Sequence, residues 1–572
     1  MDGLVLGINP CIAGMNYHDP SVCLLDSNRI LFAIEEERLN RIRHSSGLFP
    51  ALAVEECKRI AKTEGREITN IAVGYDPALN QFREGMAKQV GKQGFLDERA
   101  KMALLLRRAS GLHNAKVSFF PHHKAHAASA VNATEWNQAM CVVFDGTGEL
   151  SAASIWQSNN ETIEMIDSVD MPNSLGYFYA AATAYLGFHP WGEEGKLMAL
   201  APYGNLDEKI MHVLSRFFSL KTDYSYDLSS IFSSCLHDGF AMDIEKVVSI
   251  FEQLFQHSHR TSETPLSSWH KDFACCIQNC VEKAVLMYIK KWQKLLAPKR
   301  ICCAGGLFMN CKMNGFLRKH LSPTNFFVQP VAGDAGTAIG AAILCAQDNT
   351  KDRIAINLDE LSLGIGYSEN SIEDVLRSFN VNYYKSNDIA AECARFINNG
   401  NIVAWFQGKN ELGCRALGHR SILSAPTPHE MSDIINNRVK HREEWRPFAC
   451  SMIEDYAPSI LEGYSPVTRP AFMIEAYPVV DKWHSYMEAV MHCADNTTRP
   501  QVVCKEGVNS LYYDMLKRYY ELSGCPMVLN TSLNDKGQPI IQTPEEAVLF
   551  FINHSVDYLI IDHFVVQKNG HD

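Results

Sequence analysis

At 572 residues the chain exceeds what one hydrophobic core ordinarily supports, so two or more domains are expected. Its 46% apolar and 21% charged residues are ordinary for a globular protein, and a net charge of −12 argues against a protein whose main task is gripping nucleic acid. The 18 cysteines are scattered without zinc-site spacing, which argues against a structural metal held by sulfur and reads as reduced, mostly buried thiols in a cytoplasmic, reducing compartment.

The N-terminus, Met1 to Gly7, lacks the basic-then-apolar pattern of a signal peptide, and no apolar run long enough to span a membrane follows it. Leu4–Asn9 reads as a first strand, and Ser21–Leu25 and Ile30–Ile34 as a hairpin turning at Asp26-Ser27-Asn28. His18-Asp19 falls in the loop before that hairpin. A histidine there could act as a base, although by spacing alone it reads better as a turn residue. Glu35-Glu36-Glu37-Arg38, with Arg41 and His44, reads as a solvated charged face.

Further on, Pro121-His122-His123-Lys124-Ala125-His126 sets His122 and His126 one helical turn apart on a common face, with His123 pointing elsewhere. A second strand, Ala139–Phe144, runs into Asp145-Gly146-Thr147-Gly148 and then into Ser154-Ile155-Trp156. The plan of strand, glycine turn and strand thus occurs twice, which suggests a duplicated architecture. Residues 205 to 270 look irregular and carry aromatic and polar groups, as an acceptor pocket would. From Trp269 to Leu296 apolar residues recur at helical spacing. The strand Arg300–Ala304 then enters Gly305-Gly306, and Phe326–Val328 precedes Gly333-Asp334-Ala335-Gly336-Thr337 and a buried helix over Ala338–Ala346.

Two imidazoles with Asp145 and Asp334 would suit Fe(II), Mn(II) or Zn(II), between which the sequence does not choose. The three glycine turns at strand ends offer backbone N–H groups to phosphate. A polar stretch from about residue 348 to 370 marks a domain boundary. Beyond it lie Arg415-Ala416-Leu417-Gly418, Lys440, Arg446-Pro447-Phe448, Arg499 and Leu529-Asn530-Thr531-Ser532. Arginine forks and a lysine among Asn and Ser donors suit a small dianion, while surface arginines paired with Glu443 and Glu444 are the plainer alternative.

In this order, the motifs resemble the NodU/CmcH-type O-carbamoyltransferases over nearly the whole length. They include His18-Asp19, Glu35–Arg38, His122–Ala130, Asp145–Glu149, Gly195–Ala201, Gly305-Gly306 with Asn310, Gly333-Asp334, Arg415–Gly418, Arg446–Ala449 and Asn530–Ser532. Lys124, Cys414, Leu533 and Gln538 depart from the commoner residues, and none of them removes a proposed site group. The resemblance implies an α/β protein with an N-terminal Kae1-like domain of the actin-like ATPase (ASKHA) type over residues 1–350. It implies a C-terminal YrdC-like α+β domain over residues 370–572.

The same resemblance implies that carbamoyl phosphate and ATP give carbamoyl-adenylate and pyrophosphate in the second domain, and that an acceptor hydroxyl takes the carbamoyl group in the first. Arg415, Lys440, Arg446, Arg499, Asn530 and Ser532 then form the carbamoyl phosphate and ATP site. His122, His126, Asp145 and Asp334 hold a divalent metal of the Fe(II) type. Thr147, Gly148, Lys196, Gly306 and Asn310 bind nucleotide, with Mg(II) accompanying ATP, and His18 is the base. The expected partner is a small natural-product alcohol, as in antibiotic biosynthesis, with no nucleic acid and no membrane; acceptor identity and oligomeric state stay open. A tRNA threonylcarbamoyl transferase and a non-catalytic actin-like nucleotide-binding protein are the competing readings.

Overall fold

The computed structural model describes residues 3–12, 18–79, 98–159, 162–220, 225–237, 241–321, 325–350, 353–466, 470–507 and 509–568. Lys351 and Asp352 of the expected boundary, and residues 221–224 and 238–240 of the expected pocket segment, lie outside them. Two compact units divide the chain: residues 1–31 with 46–356, and residues 32–45 with 357–572.

The first unit contains the duplication. Strands β1 (Leu4–Asn9), β2 (Ser21–Asp26), β3 (Arg29–Glu35), β4 (Ile68–Val73) and β5 (Lys116–Phe119) form one sheet in the order β3-β2-β1-β4-β5. Strands β6 (Ala139–Gly148), β7 (Ser151–Ser158), β8 (Ile163–Asp170), β9 (Arg300–Ala304) and β10 (Asn325–Val328) form a second sheet in the matching order β8-β7-β6-β9-β10. In each sheet the first strand pairs antiparallel with the second and parallel with the fourth, and the fourth pairs parallel with the fifth. This repeat is the α/β plan expected of an actin-like ATPase domain.

The central strands show why the plan was legible. All six residues of β1 and the first seven of β6 are buried, and both read as near-continuous apolar runs, as strands covered on both faces do. Each sheet is followed by a small-residue helix, α1 (His122–Val131) after β5 and α2 (Thr337–Thr350) after β10. Both are buried nearly all round, so their partners approach closely. A Cβ on Gly340 would lie 1.8 Å from the Ala125 carbonyl oxygen, and one on Gly7 1.9 Å from that of Ala338. Glycine at these two positions is what lets α2 lie against α1 and β1.

Residues 205–270 are more regular than the sequence suggested. Helices span Glu208–Ser215 and Ile244–Phe255. Their aromatic neighbours pack on one another, with Phe251 against Tyr185, Phe217 and Phe273, and Trp269 stacked on Phe273. Those rings form core rather than the lining of a pocket. The long helix runs over Ser268–Leu296, as its periodicity predicts.

The second unit is built on an eight-stranded mixed sheet, which makes it α+β. Its strands are β11 (Asn382–Lys385), β12 (Val403–Phe406), β13 (Arg420–Ser424), β14 (Ala449–Ile453), β15 (Pro500–Val503), β16 (Met527–Ser532), β17 (Tyr558–Ile561) and β18 (Phe564–Gln567). They are ordered β11-β18-β17-β12-β13-β16-β14-β15. The ends of β13 and β16 meet through the Ser421–Ser532 register, which sets Asn530 and Ser532 at the centre of the sheet. No helix among the described residues is long and apolar enough to cross a membrane.

Candidate metal and anion sites

In the first unit, four buried side chains converge. His122 Nε2 lies 3.1 Å from Asp145 Oδ2 and 3.5 Å from Asp334 Oδ1, and His126 Nε2 lies 3.3 Å and 3.6 Å from the same two oxygens. The two imidazole Nε2 atoms are themselves 3.1 Å apart. His122 Nδ1 is 2.9 Å from the Gly74 carbonyl oxygen. That acceptor requires an N–H at Nδ1, so a neutral His122 turns a lone pair at Nε2 toward the carboxylates. Asp145 is aimed in the same way, because its Oδ1 accepts N–H bonds from Gly146 at 2.9 Å and Gly306 at 3.1 Å, leaving Oδ2 for the histidines.

Four acceptor atoms facing one another repel unless protons or a cation lie between them. Burial opposes ionisation of Asp145, yet the His122 and His126 contacts hold its carboxyl well below the usual range. For Asp334, His18, His122 and His126 together outweigh burial and the Asp145 charge, and its carboxyl is likewise held low. Both carboxylates are therefore anionic at neutral pH. Donor separations of 3.1 to 3.6 Å are close to the edge of about 3.3 Å between ligands each about 2.0 Å from one tetrahedral ion. Two imidazole nitrogens and two carboxylate oxygens thus fit a borderline divalent metal such as Fe(II), Mn(II) or Zn(II).

Surrounding groups hold this arrangement. Glu149, whose backbone has φ +49°, accepts the His122 backbone N–H at 3.0 Å and the Asp76 N–H at 2.9 Å. It thereby ties the start of α1 to the end of β6, a role that its place in the DGTGE run did not reveal. Burial raises its carboxyl to about 7. His123 turns away, with Nδ1 2.9 Å from Ser154 Oγ.

The expected nucleotide and base residues fall around the cluster in different ways. Gly148 lies directly against the histidine rings, and Gly306 gives its N–H to Asp145. Thr147 Oγ1 is buried without a hydrogen-bond partner, which leaves it a hydroxyl to offer. Asn310 instead exchanges hydrogen bonds with Gln278 at 2.9 and 3.1 Å and caps the next helix through the Met313 N–H. Lys196 is buried beside Glu193, 2.7 Å away, with its ammonium 5.2 Å above the Phe188 ring. His18 Nε2 is 3.8 Å from Asp334 Oδ2, and its Nδ1 is 3.0 Å from Asp19 Oδ2. Burial opposes its charge, but Asp334 and Asp19 win and raise the imidazole to about 10.

In the second unit, Lys440 is buried and its ammonium donates to the carbonyl oxygens of Ser532 at 2.8 Å and Asn534 at 2.6 Å, and to Asn534 Oδ1 at 2.6 Å. Burial, then Arg442 and Arg446, push this lysine well below its ordinary pKa. Burial, then Arg446 and Arg499, do the same to Arg442. A buried lysine and a buried arginine that both feel neighbouring guanidinium groups mark a gathering of positive charge, the electrostatic form of an anion site. Glu443, 3.8 Å from Arg446, offsets part of it.

Arg442 belongs to this group although the site set implied by the family resemblance left it out. Its Nε donates to Asn436 Oδ1 at 2.6 Å, and its guanidinium lies 4.5 Å above the Phe448 ring. Two further polar atoms are buried without partners, Arg415 Nε and Asn530 Oδ1. The Asn530 amide nitrogen donates to Ser451 Oγ at 2.9 Å and to the Ala416 carbonyl at 3.2 Å, which places Asn530 beside the Arg415 loop.

The acidic run after β3 is not a solvated face. Glu35 and Arg38 are buried in the second unit. Glu35 Oε1 accepts the Gly413 N–H at 2.6 Å, and Arg38 donates to the Gly413 carbonyl at 2.6 Å. Both ends of one residue, two positions before Arg415, are thus held by buried charged groups: Arg38 pairs closely with Glu37 and lies 3.9 Å from Glu35. Arg41 extends the contact to the carbonyls of Pro539 and Ile540 and to Glu546. A charge run carries no sign of burial in a one-dimensional pattern, because its partners lie hundreds of residues away.

Comparison with known proteins adds a second line of argument. Residues 74–343 match the family model described as carbamoyltransferase N-terminus, and residues 394–568 match that of the carbamoyltransferase C-terminus. The chain is 32% identical to an uncharacterized protein of Synechocystis sp., over 97% of this chain and 96% of that one. It is 29% identical to nodulation protein NolNO of Sinorhizobium fredii, over 96% of this chain and 79% of the relative. With nodulation protein NolO of Bradyrhizobium diazoefficiens the identity is 31%, over 78% of each chain.

Proposed function

The chain belongs to the carbamoyltransferase family, and from that premise we propose that it forms carbamoyl-adenylate from carbamoyl phosphate and ATP and passes the carbamoyl group to a hydroxyl of a small acceptor. The observation that carries this reading is the gathering of Lys440, Arg442, Arg446 and Arg499 in the second unit, where Lys440 and Arg442 are buried and each feels neighbouring guanidinium groups. Carbamoyl phosphate and the ATP phosphates are small, highly charged anions, and such a cluster holds them while opposing their mutual repulsion. Arg415 Nε, a buried donor, suits a phosphate oxygen, and Asn530 Oδ1, a buried acceptor, suits the carbamoyl NH2. Ser532 lies within the Lys440 network, so the lysine orients the strand end that carries it.

Atom balance fixes the products. Carbamoyl-adenylate and pyrophosphate together account for ATP and the carbamate, so the phosphate of carbamoyl phosphate leaves as inorganic phosphate with one oxygen from water. A carbamate oxygen then attacks the α-phosphorus and pyrophosphate departs. In the first unit the acceptor oxygen attacks the carbamoyl carbon and AMP leaves. His122, His126, Asp145 and Asp334 would hold a divalent metal, iron(II) by the family resemblance, which when bound supplies positive charge to the nucleotide phosphate. Thr147, Gly148 and the turn at Gly306 would lie along the nucleotide, with Lys196 and Asn310 supporting that wall. His18 would take the acceptor proton, and it can do so near neutral pH once the Asp334 charge that now raises it is balanced.

Phosphorus NMR of the full reaction tests the proposal. Incubation with carbamoyl phosphate, ATP, Mg(II) and Fe(II) is expected to yield pyrophosphate, inorganic phosphate and carbamoyl-adenylate in equal amounts, the adenylate giving AMP as water takes its carbamoyl group. Formation of ADP with inorganic phosphate would instead describe an ATPase of the nucleotide-sensing type.

A further inference from the structure

A second set of metal-type donors lies in the second unit, outside the anion cluster. His441, Asp535 and His554 each present one ligand atom, all within 4.8 Å of one another. His441 Nδ1 is 3.1 Å from Asp535 Oδ1, and His554 Nε2 is 3.3 Å from Asp535 Oδ2. The two rings are 5.7 Å apart, centroid to centroid. Three separate pieces of chain supply them: the turn after the helical segment Ile435–Val439, the loop that follows β16, and the residue capping helix Pro544–Asn553.

The orientation of His554 points to a ligand. Its Nδ1 lies 3.0 Å from the Phe550 carbonyl oxygen and its ring stacks on that of Phe550, with centroids 4.0 Å apart. The carbonyl fixes the proton at Nδ1, as the outer partner of a ligating histidine does, and turns the Nε2 lone pair toward a carboxylate. His441 reaches the same carboxylate from a left-handed backbone, φ +44°, a region in which histidine is one of the side chains more often found. The two contacts reach different oxygens of one carboxylate, Oδ1 at 3.1 Å and Oδ2 at 3.3 Å, so Asp535 lies between the two imidazole nitrogens and offers an oxygen to each.

We propose that His441, Asp535 and His554 form a second metal site, for a zinc-like divalent ion, with at least one position open to solvent. Two imidazoles and one carboxylate favour Zn(II), Co(II) or a similar borderline ion over Mg(II) and Ca(II), which take oxygen ligands. The ion ties the loop of Asp535 to the end of helix Pro544–Asn553. That loop also carries Asn534, which Lys440 grips twice, so occupancy orders the floor of the anion site. The inference does not rest on the proposed reaction, since it concerns residues that the reaction does not use.

Tag-free full-length protein, stripped by chelation, provides the test by Zn(II) calorimetry and Co(II) absorption. Wild type is expected to bind two ions. His441→Ala, whose side chain is 53% exposed and so replaceable without unfolding the core, is expected to bind one. His122→Ala with His126→Ala removes the other, and all three changes together remove both. Failure of the first-unit site alone would appear as wild type binding one ion that His441→Ala abolishes. If His441→Ala and Asp535→Asn both bind Zn(II) with wild-type stoichiometry and affinity, the three residues are only an imidazole–carboxylate network and the proposal is overturned.

Discussion

Gly148 has no room for a side chain: a Cβ there would lie 2.5 Å from Cδ2 of His123 and 2.9 Å from Cδ2 of His122. Gly148→Ala is therefore expected to displace the imidazoles and lower metal affinity in the first unit by about 10- to 100-fold, the range seen when a ligand's outer support is lost. Metal titration of the folded variant checks this, and unchanged affinity would contradict the proposed ligand set. In the second unit, Arg442→Met is expected to raise KM for carbamoyl phosphate by roughly tenfold, equivalent to about 1.4 kcal/mol, with a smaller change in kcat. Steady-state kinetics decides it. These two cases differ in how far the sequence revealed them. The His122 and His126 pair was legible because helical spacing puts both on one face. Arg442 stood among the sequence's arginine forks but outside the site set that the resemblance implied, and only the structure shows it buried and lowering Lys440.

Helices and strands pose a different question, which is how each is started and held. The helix Ser268–Leu296 begins with a capping box in which His270 accepts the Ser267 N–H at Nδ1, 3.0 Å away, and so must be neutral there. Burial, then His257 and Arg260, lower His270 from 6.5 to about 4. The folded protein thus binds fewer protons than the unfolded chain between these values, and stability rises with pH across that window. The thermal midpoint is expected to fall as pH drops from 6.5 toward 4, and His270→Gln, which keeps an acceptor without titrating, is expected to flatten that slope. An unchanged slope in melting curves would locate the effect elsewhere.

The segment after β3 tests the ion pair that grips Gly413. Arg38→Met leaves Glu37 without its close partner, Glu35 without the neighbouring positive charge and the Gly413 carbonyl without its donor, which is expected to destabilise the second unit by about 3 kcal/mol, as loss of one buried partner does. Chemical denaturation measures it, and a change within 0.5 kcal/mol, roughly that of a surface substitution, would contradict the structure. The strands were readable from their apolar runs. Helix Ile244–Phe255 carries apolar residues at helical spacing too (Ile244, Val247, Val248, Phe251, Leu254 and Phe255), but the polar and aromatic stretches on either side made the whole segment read as irregular.

At the scale of the whole chain, duplication explains the first unit and an α+β sheet the second, and the cluster proposed for the reaction in each unit has its own charge logic. The first gathers acceptors, from His122, His126, Asp145 and Asp334, and so calls for a cation. The second gathers cations, from Lys440, Arg442, Arg446 and Arg499, and so calls for an anion. Sequence order identified most members of both clusters, while the membership of Phe32–Ser45 in the second unit depends on long-range packing.

If activation belongs to the cation cluster and transfer to the metal-type cluster, the two halves of the reaction are separable by mutation. The direct measurement is pyrophosphate release from ATP, with and without carbamoyl phosphate, in wild type, Arg446→Ala and His122→Ala. The account predicts release that requires carbamoyl phosphate, vanishes in Arg446→Ala and persists in His122→Ala. Release that ignores carbamoyl phosphate, or that survives Arg446→Ala unchanged, would contradict it.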